Sequence, residues 1–286
     1  GYNRGRLHVF AAVGKDNRLK ERATGRRLGR PAGKPGVLVS VAGFDPSGGA
    51  GVLLDLRVFQ ARGFRGMAVL TGLTVQDTRG VFAVRPLPAP FVLSQFRALA
   101  ADVNIAGVKV GMLRSRANLA AAARILEDAA GSPRVVDPVF RSTSGADLLA
   151  RDALPGFLRA VRGRLSVLTP NISEASRLTK LRVDSVEKMA AAARRLAEAI
   201  SAPCLVTGGH LEGGPVNVLF DGARTRLYAS PRLPGRVHGT GCYLSSALLA
   251  ALAGGADLDA ACRRATRLTR EAFRRAETVG RGRLLF

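Results

Sequence analysis

The run His238-Gly239-Thr240-Gly241-Cys242 stands directly before a stretch rich in small residues, Ser245, Ser246 and Ala247, that reads as a helix. A Gly-Thr-Gly turn at a helix N-terminus aims several unpaired N–H groups and the positive dipole end at one point, which suits a transferring phosphoryl group. Cys242 at that spot is expected to have a lowered thiol pKa. The same residues also read as a glycine-rich helix cap beside a small buried cysteine, and the spacing leaves both readings open. A second cluster, Asp45-Pro46-Ser47-Gly48-Gly49-Ala50-Gly51, follows an apolar run and opens another helix. It is either a tight turn using glycine for positive φ or a loop whose backbone N–H groups approach a ligand, with Asp45 as a side-chain contact. Hard oxygen donors form a third element: Asp137 ends an apolar run, and Asn171 and Glu174 stand three apart. On strand-end loops such groups suit Mg²⁺ held mainly through water, although Asn-x-x-Glu equally describes an N-cap with its capping-box partner. One further match fails: Gly33-Lys34 is followed by Pro35 where a P-loop needs Ser or Thr, and no strand precedes it.

The elements that must position these groups alternate in period. Val37 to Ala42 is a continuous apolar run suited to a buried strand, and Val52, Leu56 and Phe59 then repeat at helical spacing between residues 48 and 61. Met67 to Thr71 is the next strand, followed by a Pro-rich connection (Pro86, Pro88, Pro90) and a helix marked by Val92, Phe96, Leu99 and Val103. The pattern continues through strands at 106–110, 134–137, 165–169 and 203–207, with helices between them capped by Ser115 and Ser185. Asp221-Gly222 joins two short β-rich runs as a hairpin, and two helices, 242–252 and 257–276, close the chain. Repeated βαβ units predict one α/β domain from about residue 37, with an antiparallel edge hairpin and ligands at the carboxyl ends of the strands.

The charge points elsewhere. There are 44 Lys+Arg against 21 Asp+Glu, a net +23 over 286 residues, which raises nucleic acid or another polyanion as a partner. Aromatic content of 5% with no Trp offers little platform for stacking bases, so nucleic acid is not the favoured partner. Part of the excess, +8, falls in residues 1–36, a Gly- and Pro-containing stretch expected to be a solvated basic tail. No apolar run reaches the length of a membrane span. Three cysteines without metal spacing argue against a disulfide framework and for the cytoplasm.

Seven segments recur in the order of one family: Ala42-Gly43-Phe44-Asp45-Pro46-Ser47-Gly48-Gly49-Ala50-Gly51, Thr74-Val75-Gln76-Asp77-Thr78, Lys109-Val110-Gly111-Met112-Leu113, Val136-Asp137-Pro138-Val139, Thr169-Pro170-Asn171 with Glu174, Gly208-Gly209-His210, and His238 to Cys242. On these the chain from Val37 to about Ala276 resembles the hydroxymethylpyrimidine and phosphomethylpyrimidine kinases of thiamine biosynthesis, in the ribokinase-like superfamily. The resemblance implies an open, mostly parallel sheet with helices on both faces over residues 37–286, ATP and Mg²⁺, and two successive phosphorylations of 4-amino-5-hydroxymethyl-2-methylpyrimidine. It also implies a homodimer. Carried over by position, Gly239, Thr240, Gly241 and Cys242 form the anion hole, Cys242 standing where the superfamily places its catalytic base. Gln76, Asp45, Gly43, Met112 and Lys109 fall at the substrate, Asn171, Thr207 and Gly209 at the nucleotide phosphates, and Asp137 and Glu174 at Mg²⁺ through water. The Gln76 amide presents a donor beside an acceptor, complementary to a ring nitrogen next to an exocyclic amine.

Two departures stand out. Thr207 occupies a position where the family commonly has Lys, as in some pyridoxal kinases, and Tyr243 replaces the usual Thr after the Cys. Thr207 leaves a pyridoxal-type kinase on the same scaffold as one alternative, and the net charge of +23 leaves a polyanion-binding protein with a degenerate kinase site as another.

Overall fold

The computed structural model describes residues 36–142, 145–209, 211 and 214–286; the expected basic tail lies outside them apart from Gly36, as does His210. The chain alternates as read from the sequence: β1 (Val37–Phe44), α1 (Gly51–Ala61), β2 (Arg65–Gln76), β3 (Val81–Pro86), α2 (Ala89–Asp102), β4 (Ile105–Val110), α3 (Arg116–Asp128) and β5 (Arg134–Val136). Then come α4 (Phe157–Val161), β6 (Val167–Leu168), α5 (Ile172–Thr179), α6 (Val186–Ile200), β7 (Cys204–Gly208), β8 (Val216–Phe220), β9 (Thr225–Ala229), α7 (Thr240–Ala253) and α8 (Leu258–Arg274). The described strands form one sheet in the order β3-β2-β1-β4-β5-β6-β7-β8-β9. From β2 to β7 every pairing is parallel, and β8 and β9 extend the sheet as the antiparallel hairpin expected around Asp221-Gly222.

Both faces of the sheet are covered, which is why the strands read as continuous apolar runs. In β1, Val39 and Val41 pack with Phe96, Ile125, Leu196 and Ile200 on one side. Leu38 packs with Phe59, Leu248 and Leu249 on the other. Helix α7 lies inside this second layer, and every residue from Leu244 to Ala251 is buried. Side chains fix the helix starts: Ser115, Ser185 and Asp257 accept the N–H groups of Asn118, Lys188 and Ala260, each cap worth about 1 kcal/mol.

One element was not anticipated. β2 runs past Thr71 to Gln76, turns at Asp77, whose Oδ1 accepts the N–H of Arg79 at 2.8 Å, and returns as β3, antiparallel, in place of the Pro-rich connection. Leu73, Val75 and Phe82 are exposed, so neither strand shows the buried run by which the others were recognised. Pro86, unable to donate to a ladder, sits at the end of an edge strand, where it is tolerated.

The chain passes from β1 outward to β2 and β3, then returns across β1 to β4. Connections therefore leave the carboxyl ends of β1 and β4 in opposite directions, and a crevice opens there.

Candidate active site

A cavity of about 1080 Å³ occupies that crevice and continues past β5, β6 and β7. Every residue assigned to a site from the sequence borders it: Gly43, Asp45, Gln76, Lys109 and Met112 toward β1, β2 and β4, Asp137, Asn171, Glu174, Thr207 and Gly209 toward β5 to β7, and Gly239 to Cys242 at the start of α7.

The two glycine-rich segments press against each other. Gly239 is the N-cap of α7 at φ 80°, and a Cβ there would overlap the carbonyl oxygen of Gly49. Gly51, at φ 57°, approaches the carbonyl of Gly43 just as closely, and its N–H reaches the Cys242 sulfur. Positive φ and ligand approach are thus not rival explanations here: the left-handed turn at Gly239 brings the helix start to the cavity. No side chain caps α7, and its first backbone bond runs from Tyr243 N–H to Gly239 O at 2.8 Å. The N–H groups of Thr240, Gly241 and Cys242 precede that bond, so they form the kind of anion site a helix start provides.

Behind this turn the electrostatics correct one expectation. A helix N-terminus lowers a thiol pKa, yet Cys242 is pushed up to about 12. Burial is the main cause, reinforced by the charges of Asp137 and Asp55, and Lys109 and the Gly51 N–H only partly offset it. The thiol lies beside Asp137, whose own carboxyl is raised chiefly by burial. The Ser245 hydroxyl lies 3.1 Å from Asp137 Oδ2 and 2.9 Å from the Gly241 carbonyl, tying that carboxylate to the first turn of α7.

Asn171 and Glu174 make the capping box: Glu174 N–H donates to Asn171 Oδ1 at 3.0 Å, and Asn171 N–H donates to Glu174 Oε2 at 2.8 Å. Glu174 is nonetheless raised to about 8, by burial and then by the charge of Asp137, against the bonds from Asn171 and Phe140. A structural cap needs no second buried carboxyl beside it. Glu174, its charge disfavoured by burial and by Asp137, and Asp137 itself supply the hard oxygen donors that suit Mg²⁺ held through water. Among the described residues no three His, Cys, Asp or Glu side chains converge as a direct ligand cage.

At the other end, Asp45 Oδ1 accepts from Ser47 N–H at 2.9 Å and from its hydroxyl at 2.7 Å. Burial works against its charge, but the bonds from His238 and Ser47 hold the carboxyl below its ordinary value. His238 Nε2 lies 3.1 Å from Asp45 Oδ2 and 2.8 Å from the Gln76 amide nitrogen. The sequence reading gave His238 no role, although its place ahead of Gly239 was a signal. The end of the chain holds this arrangement from outside: His238 N–H donates to Leu284 O at 2.9 Å, and Arg283 N–H to Thr78 O at 2.9 Å, just beyond Gln76. Lys109 borders the cavity only from behind, with no part of its side chain exposed. Its ammonium is fully buried against Asp55, which the sequence reading also passed over.

The sequence profile described as Phosphomethylpyrimidine kinase matches residues 45–285. The chain belongs to the phosphomethylpyrimidine kinase family. It is 35% identical over 248 residues to the hydroxymethylpyrimidine/phosphomethylpyrimidine kinase of Aquifex aeolicus, covering 86% of this chain and 97% of that protein. It is 40% identical over 249 residues to the thiamine biosynthesis bifunctional protein ThiED of Geobacter sulfurreducens, covering 86% of this chain but 51% of that protein, so the chain spans about half the length of that relative. Among solved structures it is similar to a phosphomethylpyrimidine kinase from Clostridium difficile, with TM-score 0.74 and 32% identity over 83% of this chain and 99% of that one. A Staphylococcus aureus pyridoxal kinase in complex with AMP-PCP superposes with TM-score 0.81 at 25% identity, covering 88% and 93%.

The two positions expected from the sequence to depart from the family pattern, Thr207 and Tyr243, have the following surroundings. Thr207 donates its backbone N–H to Pro170 O and brings no charge, while Arg177, one turn beyond Glu174 on α5, borders the same part of the cavity. Tyr243 meets Phe286 at a tilted angle, ring centroids 4.8 Å apart, and packs half-buried against the cluster that contains Leu248 and Leu249. Among the described residues no helix is long and apolar enough to cross a membrane.

Proposed function

We infer that the protein transfers the γ-phosphoryl group of ATP to the hydroxymethyl group of 4-amino-5-hydroxymethyl-2-methylpyrimidine and then to the resulting monophosphate, in thiamine diphosphate biosynthesis. The observation that carries this reading is Gln76 facing the start of α7 across one cavity, with His238 between them. A reader of adjacent ring nitrogen and amine and an anion site that line one cavity support this reading.

Asp45 orients the substrate hydroxyl, and Met112 and Gly43 border the ring's apolar side. A Cβ on Gly43 would overlap the Met112 side chain, so that wall is already closely packed. The N–H groups of Thr240, Gly241 and Cys242 receive the transferring phosphoryl group, with Asn171, Gly209 and Thr207 along the rest of the phosphate chain and Arg177 supplying the cation that Thr207 does not. Asp137 and Glu174 hold Mg²⁺ through water, and the metal neutralises charge on the phosphates when bound. Cys242 rests as a thiol, so it accepts the substrate proton only as its own proton moves to Asp137; the two act as one base. Phosphoryl transfer asks little of a base, and positioning with charge stabilisation supplies most of the rate.

A homodimer in the cytoplasm completes the reading. The exposed Leu73, Val75 and Phe82 on the β2-β3 hairpin offer the dimer a surface, and Cys204, Cys242 and Cys262 are all free thiols. The pyridoxal alternative is supported by Thr207 and by the likeness to solved pyridoxal kinases, but pyridoxal lacks the adjacent nitrogen and amine that Gln76 would pair with. ATP consumption measured with each alcohol in turn separates them: turnover of the pyrimidine well above that of pyridoxal is expected, and turnover of pyridoxal alone would sink the reading.

A further inference from the structure

Three polar side chains lie where the pattern of their elements calls for apolar ones. Ser40 interrupts the buried run of β1, Lys109 that of β4, and Asp55 falls on the stripe with Val52 and Phe59 that α1 turns to the sheet. All three are 0% exposed, as is Ser246 on α7. Asp55 gathers the others: its Oδ1 accepts from Lys109 Nζ at 2.5 Å and from the Ser246 hydroxyl at 2.8 Å, and its Oδ2 from the Ser40 hydroxyl at 2.6 Å. Ser40 and Lys109 are register partners on β1 and β4, so the cluster joins the two strands at the crevice to both helices above them.

Stability does not account for it. Well-packed apolar side chains of similar volume usually serve a core as well as a buried ion pair, or better. Location does. Ser246 is one helical turn beyond Cys242, which puts the Lys109 ammonium behind the turn that carries the anion site. Burial disfavours its charge, but the Asp55 carboxylate beside it favours it and keeps it an ammonium.

We propose that the Asp55–Lys109 pair is a positioning element for phosphoryl transfer: Asp55, anchored by Ser40 and Ser246, fixes the Lys109 ammonium behind the Gly239–Cys242 turn, where its charge adds to that of the helix start. This rests on the kinase reading. Lys109 touches no substrate and acts through the turn. A charge fixed in a dry setting before the reaction costs no reorganisation when negative charge develops on the phosphoryl group.

The test is a double variant, Asp55→Asn with Lys109→Met, which removes both charges with little change of volume. It is expected to fold with a near-wild-type Tm, keep both KM values within about 3-fold, and lose about 10-fold or more in kcat. Lys109→Arg, which keeps the charge, is expected to retain more kcat than the double variant. A merely structural pair would change Tm and leave kcat alone, so a stable double variant with wild-type kcat overturns the proposal. If the double variant does not fold, Ser40→Ala with Ser246→Ala removes two of the three bonds to Asp55 and is read by the same split: lower kcat at unchanged KM supports the proposal, and unchanged kcat overturns it. The wild type is assayed on the pyrimidine and on pyridoxal alongside. Turnover of pyridoxal alone defeats the substrate reading only, and the variants are then compared on that alcohol.

Discussion

His238 Nε2 stands 3.1 Å from Asp45 Oδ2 while also meeting the Gln76 amide, so one imidazole edge links the loop after β1 to the end of β2. The Gln76 amide nitrogen faces His238 Nε2 while its oxygen accepts from the Thr74 hydroxyl at 3.3 Å, so both ends of the amide are held. His238 and Thr74 thereby decide which face of the Gln76 amide is left for the substrate. His238→Ala is expected to raise the pyrimidine KM about 10-fold with the ATP KM unchanged, and Gln76→Leu to raise it about 10-fold to 100-fold by leaving substrate polar groups unpaired. Steady-state kinetics on the two variants checks this; an unchanged pyrimidine KM in Gln76→Leu removes Gln76 from the site.

Cys242 carries the clearest chemical signature. A thiol held up to about 12 is almost wholly protonated at pH 7.5, so its alkylation by iodoacetamide is expected to be roughly 10³-fold slower than a free thiol's and to accelerate as pH rises. Mass spectrometry of the alkylated peptide over a pH series reads this directly, and rapid labelling at neutral pH contradicts it. Cys242→Ala is expected to fold normally and lose about 10²-fold or more in kcat, whereas near-normal activity would show that the thiol plays no part in proton transfer.

Glu174 ties stability to pH. Its folded carboxyl is raised to about 8 from an ordinary 4.5, so the folded state holds a proton that the unfolded state has released between those values. The stability contributed by the neutral form is full below about pH 4.5 and is lost as pH rises through about 8. Glu174→Gln preserves the capping box, since Gln also serves there, and removes the buried charge. Without metal, its Tm at pH 8.5 is expected to exceed the wild-type value by on the order of 5 °C, with no gain at pH 4.5. Mg²⁺ should raise the wild-type Tm and leave the variant nearly unmoved; equal responses would remove Glu174 from the metal site.

Much of this site was legible because its residues follow strand ends, and strands buried on both faces announce themselves as apolar runs. The β2-β3 hairpin was not, because exposed Leu73, Val75 and Phe82 alternate without a buried face, and so the element that carries Gln76 was missed beyond Thr71. Cys242 shows a second limit. Its helix position was visible in the sequence, but burial against Asp137 outweighs the dipole, and that pairing joins residues 105 apart in the chain. Asp55 and Lys109 left a faint signal, charges at apolar positions, whose meaning depends on each being the other's partner.

Arg177 offers a test of how the missing lysine at position 207 is offset. Arg177→Ala is expected to raise the ATP KM about 10-fold with the pyrimidine KM unchanged, the size of effect that losing one charge-assisted phosphate contact produces. Thr207→Lys in the Arg177→Ala background should restore part of the loss. An ATP KM indifferent to both substitutions would place the phosphates elsewhere in the cavity.

The central claim is the identity of the acceptor, and the most direct measurement is mass analysis of the products formed from the aminopyrimidine with ATP and Mg²⁺, counting phosphates added. Appearance of the monophosphate followed by the diphosphate is the predicted result. No phosphorylated pyrimidine at all, with pyridoxal phosphate formed under the same conditions, would contradict it.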